Sequence, residues 1–279
     1  MALIPDFEIR AINDAQTSEN RIHSDAMAKQ YGFSGALVSG VNVLGYLSQP
    51  LVQAFGSTWL ESGIMQVKFV KPAYEDDLVS IIFNPAEPAS GDRHFIGKAH
   101  NNDGALLAIL DSFMPGQLPA PSSLASAASP LSSCLAEQDR PDAQWEQIHL
   151  QRTEPDFQWR PSAAENAEHV RTQRDQSPCY VGQSAYIHPY FLLDACNKAL
   201  MRMFTLPAWI HTASRLTVRK GLRVDTTITV RTTPVQKWRH KGHEFIKLYV
   251  AMWAEKQLAV EVEHSAIFRL ARPDRKHHT

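Results

Sequence analysis

VNVLGYLSQPLVQAF (residues 41–55) and PYFLLDACNKALMRMF (residues 189–204) are each apolar around most of a helical circumference. A helix that is apolar nearly all round is a buried helix. Pro50 is expected to kink the first or end it early, whereas Pro189 opens the second, where a first-turn proline is tolerated. An offset of 149 residues carries one stretch onto the other and, without a gap, lays residues 38–78 over residues 187–227. Leu44 then falls on Leu193, Leu51 on Leu200, Phe55 on Phe204, Val67 on Leu216 and Asp76 on Asp225. Two copies are too few for a solenoid, so the pattern reads as a tandem-duplicated domain.

Strand-like runs follow each helix. In the first copy they are residues 65–70, 78–84 with 94–99, and 105–113; in the second, 214–218, 226–232, 245–253 and 258–270. Ile228 and Val230 alternate with Thr227, Thr229 and Arg231, as in an antiparallel sheet with one covered face. Residues 7–12 supply an earlier strand to the first copy, and residues 147–151 are expected to do so for the second. A strand, an irregular excursion, one buried helix and a run of antiparallel strands describe a sheet wrapped around a helix. The expected fold class is therefore α+β, two tandem hotdog domains whose sheets join and so cover an exposed edge.

Residues 116–136, GQLPAPSSLASAASPLSSCLA, hold no charge, three prolines and six serines, a composition that suits a linker. The chain thus divides into an N-terminal hotdog domain (residues 1–115), a linker (116–143) and a divergent C-terminal hotdog domain (144–279). With 44% apolar and 20% charged residues, the 279-residue chain can bury a core. Its 28 basic and 29 acidic residues nearly cancel, which removes the charge argument for binding nucleic acid or an anionic membrane. No apolar run is long enough to cross a bilayer, and the N-terminus lacks the pattern of a signal peptide. Cys134, Cys179 and Cys196 form neither a disulfide framework nor a zinc pattern. A reducing cytoplasm is expected.

The excursion before the first helix reads TSENRIHSDAMAKQYGFSG (residues 17–35), then VSG (38–40), with VKFVKPAYEDD (67–77) downstream. It resembles the MaoC-like dehydratase and (R)-specific enoyl-CoA hydratase family. That family's signature is Gly-Asp-x-Asn-Pro-Ile-His, a short helix, a Gly-Phe-Gly-Gly-like turn, and a His-Gly pair opening the central helix. Asn20, Ile22, His23, Asp25, Ala28, the turn 32–35 and Gly40 fall on matching positions, while residues 67–77 are similar to the family's Arg-Phe-x-x-Pro-Val-x-x-Gly-Asp stretch. The family's catalytic aspartate falls on Ser18, its proline on Arg21, and its histidine before the helix glycine on Ser39.

The resemblance implies acyl-thioester chemistry: hydration or dehydration of an enoyl-CoA or 3-hydroxyacyl-CoA by a lyase without cofactor or metal. The substrate would be carried by coenzyme A or an acyl carrier protein, and the protein would be a homo-oligomer, a dimer. His23 is the candidate base and acid, since an imidazole suits proton transfer near neutral pH. Asp25 either orients that imidazole or caps the following short helix. Gly40 offers an N–H at a helix start, where unpaired donors meet a developing oxyanion, or simply permits close packing. Ser18, Asn20, Ser39 and His188 are the substrate-binding candidates; Ser18 also suits a turn. The second half has no Asn-x-x-His copy, Thr172 standing 149 residues after His23, and His188 stands where Ser39 stands in the first. Eight Lys or Arg residues between Arg215 and Lys241 face one acid, Asp225: a landing surface for phosphates, or solvated strand faces. Two other functions stay open, a non-catalytic acyl-binding or partner subunit and an acyl-CoA thioesterase.

Overall fold

A computed structural model describes residues 4–86, 93–130 and 132–271. Five α-helices are α1 (Asp25–Gln30), α2 (Gly40–Phe55), α3 (Ser57–Glu61), α4 (Ala163–Thr172) and α5 (Tyr190–Met203). In the first half the strands are β1 (Phe7–Arg10), β2 (Gly63–Phe69), β3 (Leu78–Pro85), β4 (Arg93–His100) and β5 (Leu106–Met114). In the second they are β6 (Phe157–Trp159), β7 (Ile210–Val218), β8 (Ile228–His240), β9 (His243–Ala254) and β10 (Gln257–Arg269).

All ten strands form one sheet in the order β1-β3-β4-β5-β2-β7-β10-β9-β8-β6, and every pairing is antiparallel. The halves join through β2 and β7, so each covers the other's open edge. At that seam Gln66 pairs with Arg215, the two residues that the 149-residue offset makes equivalent. A pseudo-twofold axis therefore passes through this pair, and the two hotdogs face each other across it.

The sheet wraps both long helices in a single core that includes Leu44, Leu47 and Leu51 of α2 and Leu193 and Leu200 of α5. Pro50 does not end α2, which runs on to Phe55. Every residue from Val41 to Val52 is buried, and packing on all sides holds the turn that lacks a backbone donor. Pro189 caps α5, as expected.

Two expectations change. Residues 147–151 form no strand: the outer strand of the second half is β6, paired with Ile228–Val230. The carbonyls of Trp145 and Ile148 accept from Lys237 Nζ at 2.6 and 3.1 Å, which takes them out of any ladder. Residues 116–143 contribute no strand, yet part of this segment lies against the second half's sheet. Ala125 packs against Tyr249 and Ala251, the Ser122 N–H donates to Glu261 at 2.8 Å, and the Ala125 carbonyl accepts from Arg231 at 3.2 Å. Small uncharged residues let the segment lie that close to the sheet.

Candidate active site

The excursion of the first half folds over the N-terminus of α2, and its local geometry starts at Asn20. That buried side chain caps a 3₁₀ turn over Arg21–His23 and reaches across the seam to the backbone of Trp209. Its Oδ1 accepts from the Trp209 N–H at 3.1 Å, and its Nδ2 donates to the Trp209 carbonyl at 3.0 Å and lies 3.3 Å from His23 Nε2. These partners fix the amide's orientation. His23 Nδ1 donates to the Leu37 carbonyl at 2.7 Å. Nε2 is then the unprotonated nitrogen, a base whose lone pair accepts from Asn20 Nδ2. Burial pushes the imidazole below its usual pKa, opposed by the Leu37 carbonyl and the charge of Asp14.

A cavity of about 240 Å³ opens beside this imidazole, lined from the first half by Asn20, His23, Ser39, Gly40 and Phe69. Gly40 is the first residue of α2, and the preceding Ser39 makes no side-chain capping bond. Among the described residues no acceptor takes the Gly40 N–H, so it remains one of the orphan donors of a helix start. A Cβ at Gly40 would meet the Phe69 ring at 3.2 Å. Close packing and an exposed donor thus coincide at this glycine.

The second half supplies the facing wall, through residues that the sequence had not singled out. Asn197 of α5 and Trp209, His211 and Thr212 at the start of β7 line the same cavity. Opposite them the ladder slips between Ser265 and Ala266, so that Thr212 has no register partner on β10. Such a bulge re-aims side chains, and consecutive residues 210–212 all reach the cavity. Behind the wall, His211 Nε2 and His264 Nδ1 share the Ser214 hydroxyl at 2.8 and 3.1 Å. Burial drives His264 down to about 3 and, together with the neighbouring His264, holds His211 far below its usual value. Asp14 is the nearby carboxylate that the sequence did not single out. It accepts from Asn42 Nδ2 at 2.8 Å, and burial raises its pKa against that bond.

Four of the sequence candidates therefore meet at one cavity: Asn20, His23, Ser39 and Gly40. Three do not. Ser18 donates to the Asn20 carbonyl at 3.1 Å, a turn contact outside the cavity. Asp25 is not beside the imidazole; it is exposed, and its Oδ1 accepts from the Ala36 N–H at 2.7 Å, pinning the loop across α1. His188 is fully buried at the start of α5, its Nε2 3.5 Å from Asp175 Oδ2 and its Nδ1 accepting from the Tyr190 N–H.

The pseudo-twofold axis makes the comparison between halves direct. The counterpart cavity, lined by Leu60, Ile187, Pro189, Leu192 and Val218, measures about 20 Å³. Pro189 occupies Gly40's place there and has no N–H to offer. Most of the basic stretch is tied to acceptors: Arg219 to Glu261, Lys220 to Glu255, Arg231 to Asp156 and Arg239 to Glu244. Among the described residues no group of three or more His, Cys, Asp or Glu is arranged to hold a metal ion, and no helix is long and apolar enough to cross a membrane.

No protein-family model matches the sequence, and no curated protein matches it either. Solved structures do. A protein from Chloroflexus aurantiacus assigned as a MaoC domain dehydratase superposes with a TM-score of 0.68 at 8% identity, covering 96% of each chain. A Mycobacterium tuberculosis protein described as having a double hotdog fold gives 0.63 at 12% identity, over 96% of this chain and 94% of that one. One from Lactobacillus plantarum assigned as an oleoyl thioesterase gives 0.54 at 11% identity, covering 98% of each. At these identities the likeness establishes architecture, and the chain is a double-hotdog protein. Its structural neighbours include both MaoC-like dehydratases and thioesterases.

Proposed function

We propose that this protein hydrates an enoyl thioester, or dehydrates the corresponding 3-hydroxyacyl thioester, at the cavity between its halves. The observation that carries the reading is the meeting of two groups on one apolar cavity: the unprotonated Nε2 of His23 and the uncapped N–H of Gly40. In the hydration direction His23 Nε2 takes a proton from water as the water oxygen bonds to C3. The electron pair of the C2–C3 double bond moves onto the thioester, whose carbonyl oxygen accepts from the Gly40 N–H. Return of the proton from His23 to C2 completes the addition. A half-buried, neutral imidazole suits the first step, and a helix N-terminus suits the developing charge.

Asn20 positions rather than reacts. Its amide holds the imidazole on one side and the Trp209 backbone on the other, so the first half's base is registered against the second half's wall. The Asp14 charge favours the imidazolium that forms in mid-reaction. Asp25 and Ser18 have no part in these steps.

Turnover of a chain-length panel of enoyl and 3-hydroxyacyl thioesters tests the reading, with His23→Ala expected to abolish it. Thioester hydrolysis is the second reading, supported by the same donor and by the likeness to a thioesterase assignment; release of free thiol distinguishes it. Tight binding with neither reaction would make the chain an acyl-binding subunit.

A further inference from the structure

The cavity wall does not end at its mouth. Ile210 and Ile267 line the cavity, and the register partners Ile210, Ile267, Phe245 and Trp238 run in one row across β7, β10, β9 and β8. Register partners share a face of the sheet, so the lining continues onto two aromatic rings. Phe245 packs against the buried cluster that includes Ile22 and Ile267 of the cavity. Trp238 lies flat on Phe245, ring centres 4.9 Å apart and planes 13° apart. Both rings are half-buried, and β6 pairs with β8 only at Ile228–Val230, so among the described residues no strand lies beyond Trp238. At about 4.8 Å per strand, Trp238 stands about 10 Å from Ile267.

Just past this platform the hairpin turns through Lys241 and Gly242, with φ of 49° and 77°. His240 and Lys241 are exposed there, and neither has an ion-pair partner among the described residues. The tip's one acid, Glu244, lies between Arg239 at 2.9 Å and Arg269 at 3.5 Å, which leaves the tip cationic. A half-open aromatic face beside cations is the combination that stacks a base and holds its phosphates.

We propose that the tip of the β8–β9 hairpin is the subsite for the nucleotide end of a coenzyme A thioester, its base stacked on Trp238 and its phosphates beside Lys241 and His240. The proposal rests on the thioester reading of the cavity and adds the carrier to it. A protein-borne pantetheine arm brings a phosphate but no base, and would leave Trp238 unused.

Calorimetry with two thioethers that no enzyme of this class can turn over tests it: S-butyl coenzyme A and S-butyl pantetheine. The wild-type protein is expected to bind the coenzyme A form at least about tenfold more tightly, as one base stack implies. Trp238→Leu should bring the ratio near one and Trp238→Phe should retain most of it. Lys241→Glu, an exposed turn substitution that leaves the fold alone, should weaken the coenzyme A form and flatten its salt dependence while sparing the pantetheine. A wild-type ratio near one overturns the proposal, as does a ratio that survives both Trp238→Leu and Lys241→Glu. So does tighter binding of a butyryl carrier protein than of S-butyl coenzyme A. Because neither thioether reacts, failure of the thioester panel would sink the reaction and leave this subsite standing.

Discussion

Acidification from pH 7 to pH 5.5 should destabilise this protein through three histidines. His169, His211 and His264 are 8%, 7% and 0% exposed. Burial, with the neighbouring His188, drives His169 down to about 2; burial takes His264 to about 3; burial and His264 hold His211 well below its ordinary range. In the unfolded chain each titrates near 6.5. Below that value the unfolded state binds more protons than the folded one, so the stability these groups permit is complete above about pH 6.5 and is lost as pH falls towards the folded values. Between pH 7 and 5.5 each buried imidazole accounts for about 1.2 kcal/mol, and the three together for about 4 kcal/mol. That is a large part of an ordinary domain's stability and a shift on the order of 10 °C in Tm. The window lies above the usual carboxylate range, and the raised pKa values of Asp14 and Glu154 act in the opposite direction. The assay is calorimetric melting at the two pH values for the wild type, His264→Gln and His169→Phe. Each substitution should remove about a third of the pH slope, whatever it does to Tm at pH 7. A wild-type shift under about 2 °C, or variants with the full slope, would refute the account.

His23→Ala should lower kcat by roughly 10²–10⁴ with a smaller change in KM, as loss of a general base does. Stopped-flow absorbance on the enoyl thioester reads it, and an equal loss confined to KM would contradict the role. Because burial lowers the His23 pKa, the acid limb of kcat/KM should fall below the ordinary histidine value near 6.5; a limb at or above that value would contradict the burial. Gly45→Ala should cost about 1–3 kcal/mol by overpacking, since its Cβ would stand 2.7 Å from Gln173 Oε1 and 3.0 Å from His188 Cε1. Urea unfolding checks this, and an unchanged midpoint would mean that the second half yields there at no cost. S-butyl coenzyme A should titrate to one site per chain, because the counterpart cavity is filled and headed by Pro189; two equal sites would refute that asymmetry.

The periodic features of this fold were legible because burial writes them into the sequence. Two all-round apolar helices and the 149-residue offset predicted the duplication, and the offset lands on the register pair Gln66 and Arg215 that marks the pseudo-twofold axis. The first half's side of the cavity was legible for a different reason: Asn20, His23 and Gly40 lie within one local excursion and its helix start. Trp209, His211 and Thr212 left no such trace. They reach the cavity through pairing between strands about 150 residues apart in sequence and through a bulge at Ser265/Ala266, neither of which has a local pattern. Asp25 misled because spacing from His23 says nothing about direction; the α1 turn aims its carboxylate at Ala36. Residues 147–151 were expected as a strand only by analogy with residues 7–12, and in the fold the Ile148 carbonyl accepts from Lys237.

The asymmetry between the halves has a physical logic. A duplicated hotdog starts with two helix N-termini and two cavities, each walled partly by the other copy across the β2–β7 seam. Where α2 opens on Gly40, α5 is headed by Pro189, which has no N–H, and large side chains such as Leu60 and Leu192 leave a cavity of about 20 Å³. Filling one cavity leaves apolar surface packed rather than hydrated, which strengthens the seam. The open cavity spans that seam: Asn20 contacts His23 in the first half and both backbone groups of Trp209 in the second. An isolated first half would therefore carry His23 and Asn20 without the Trp209 backbone that Asn20 bonds across the seam.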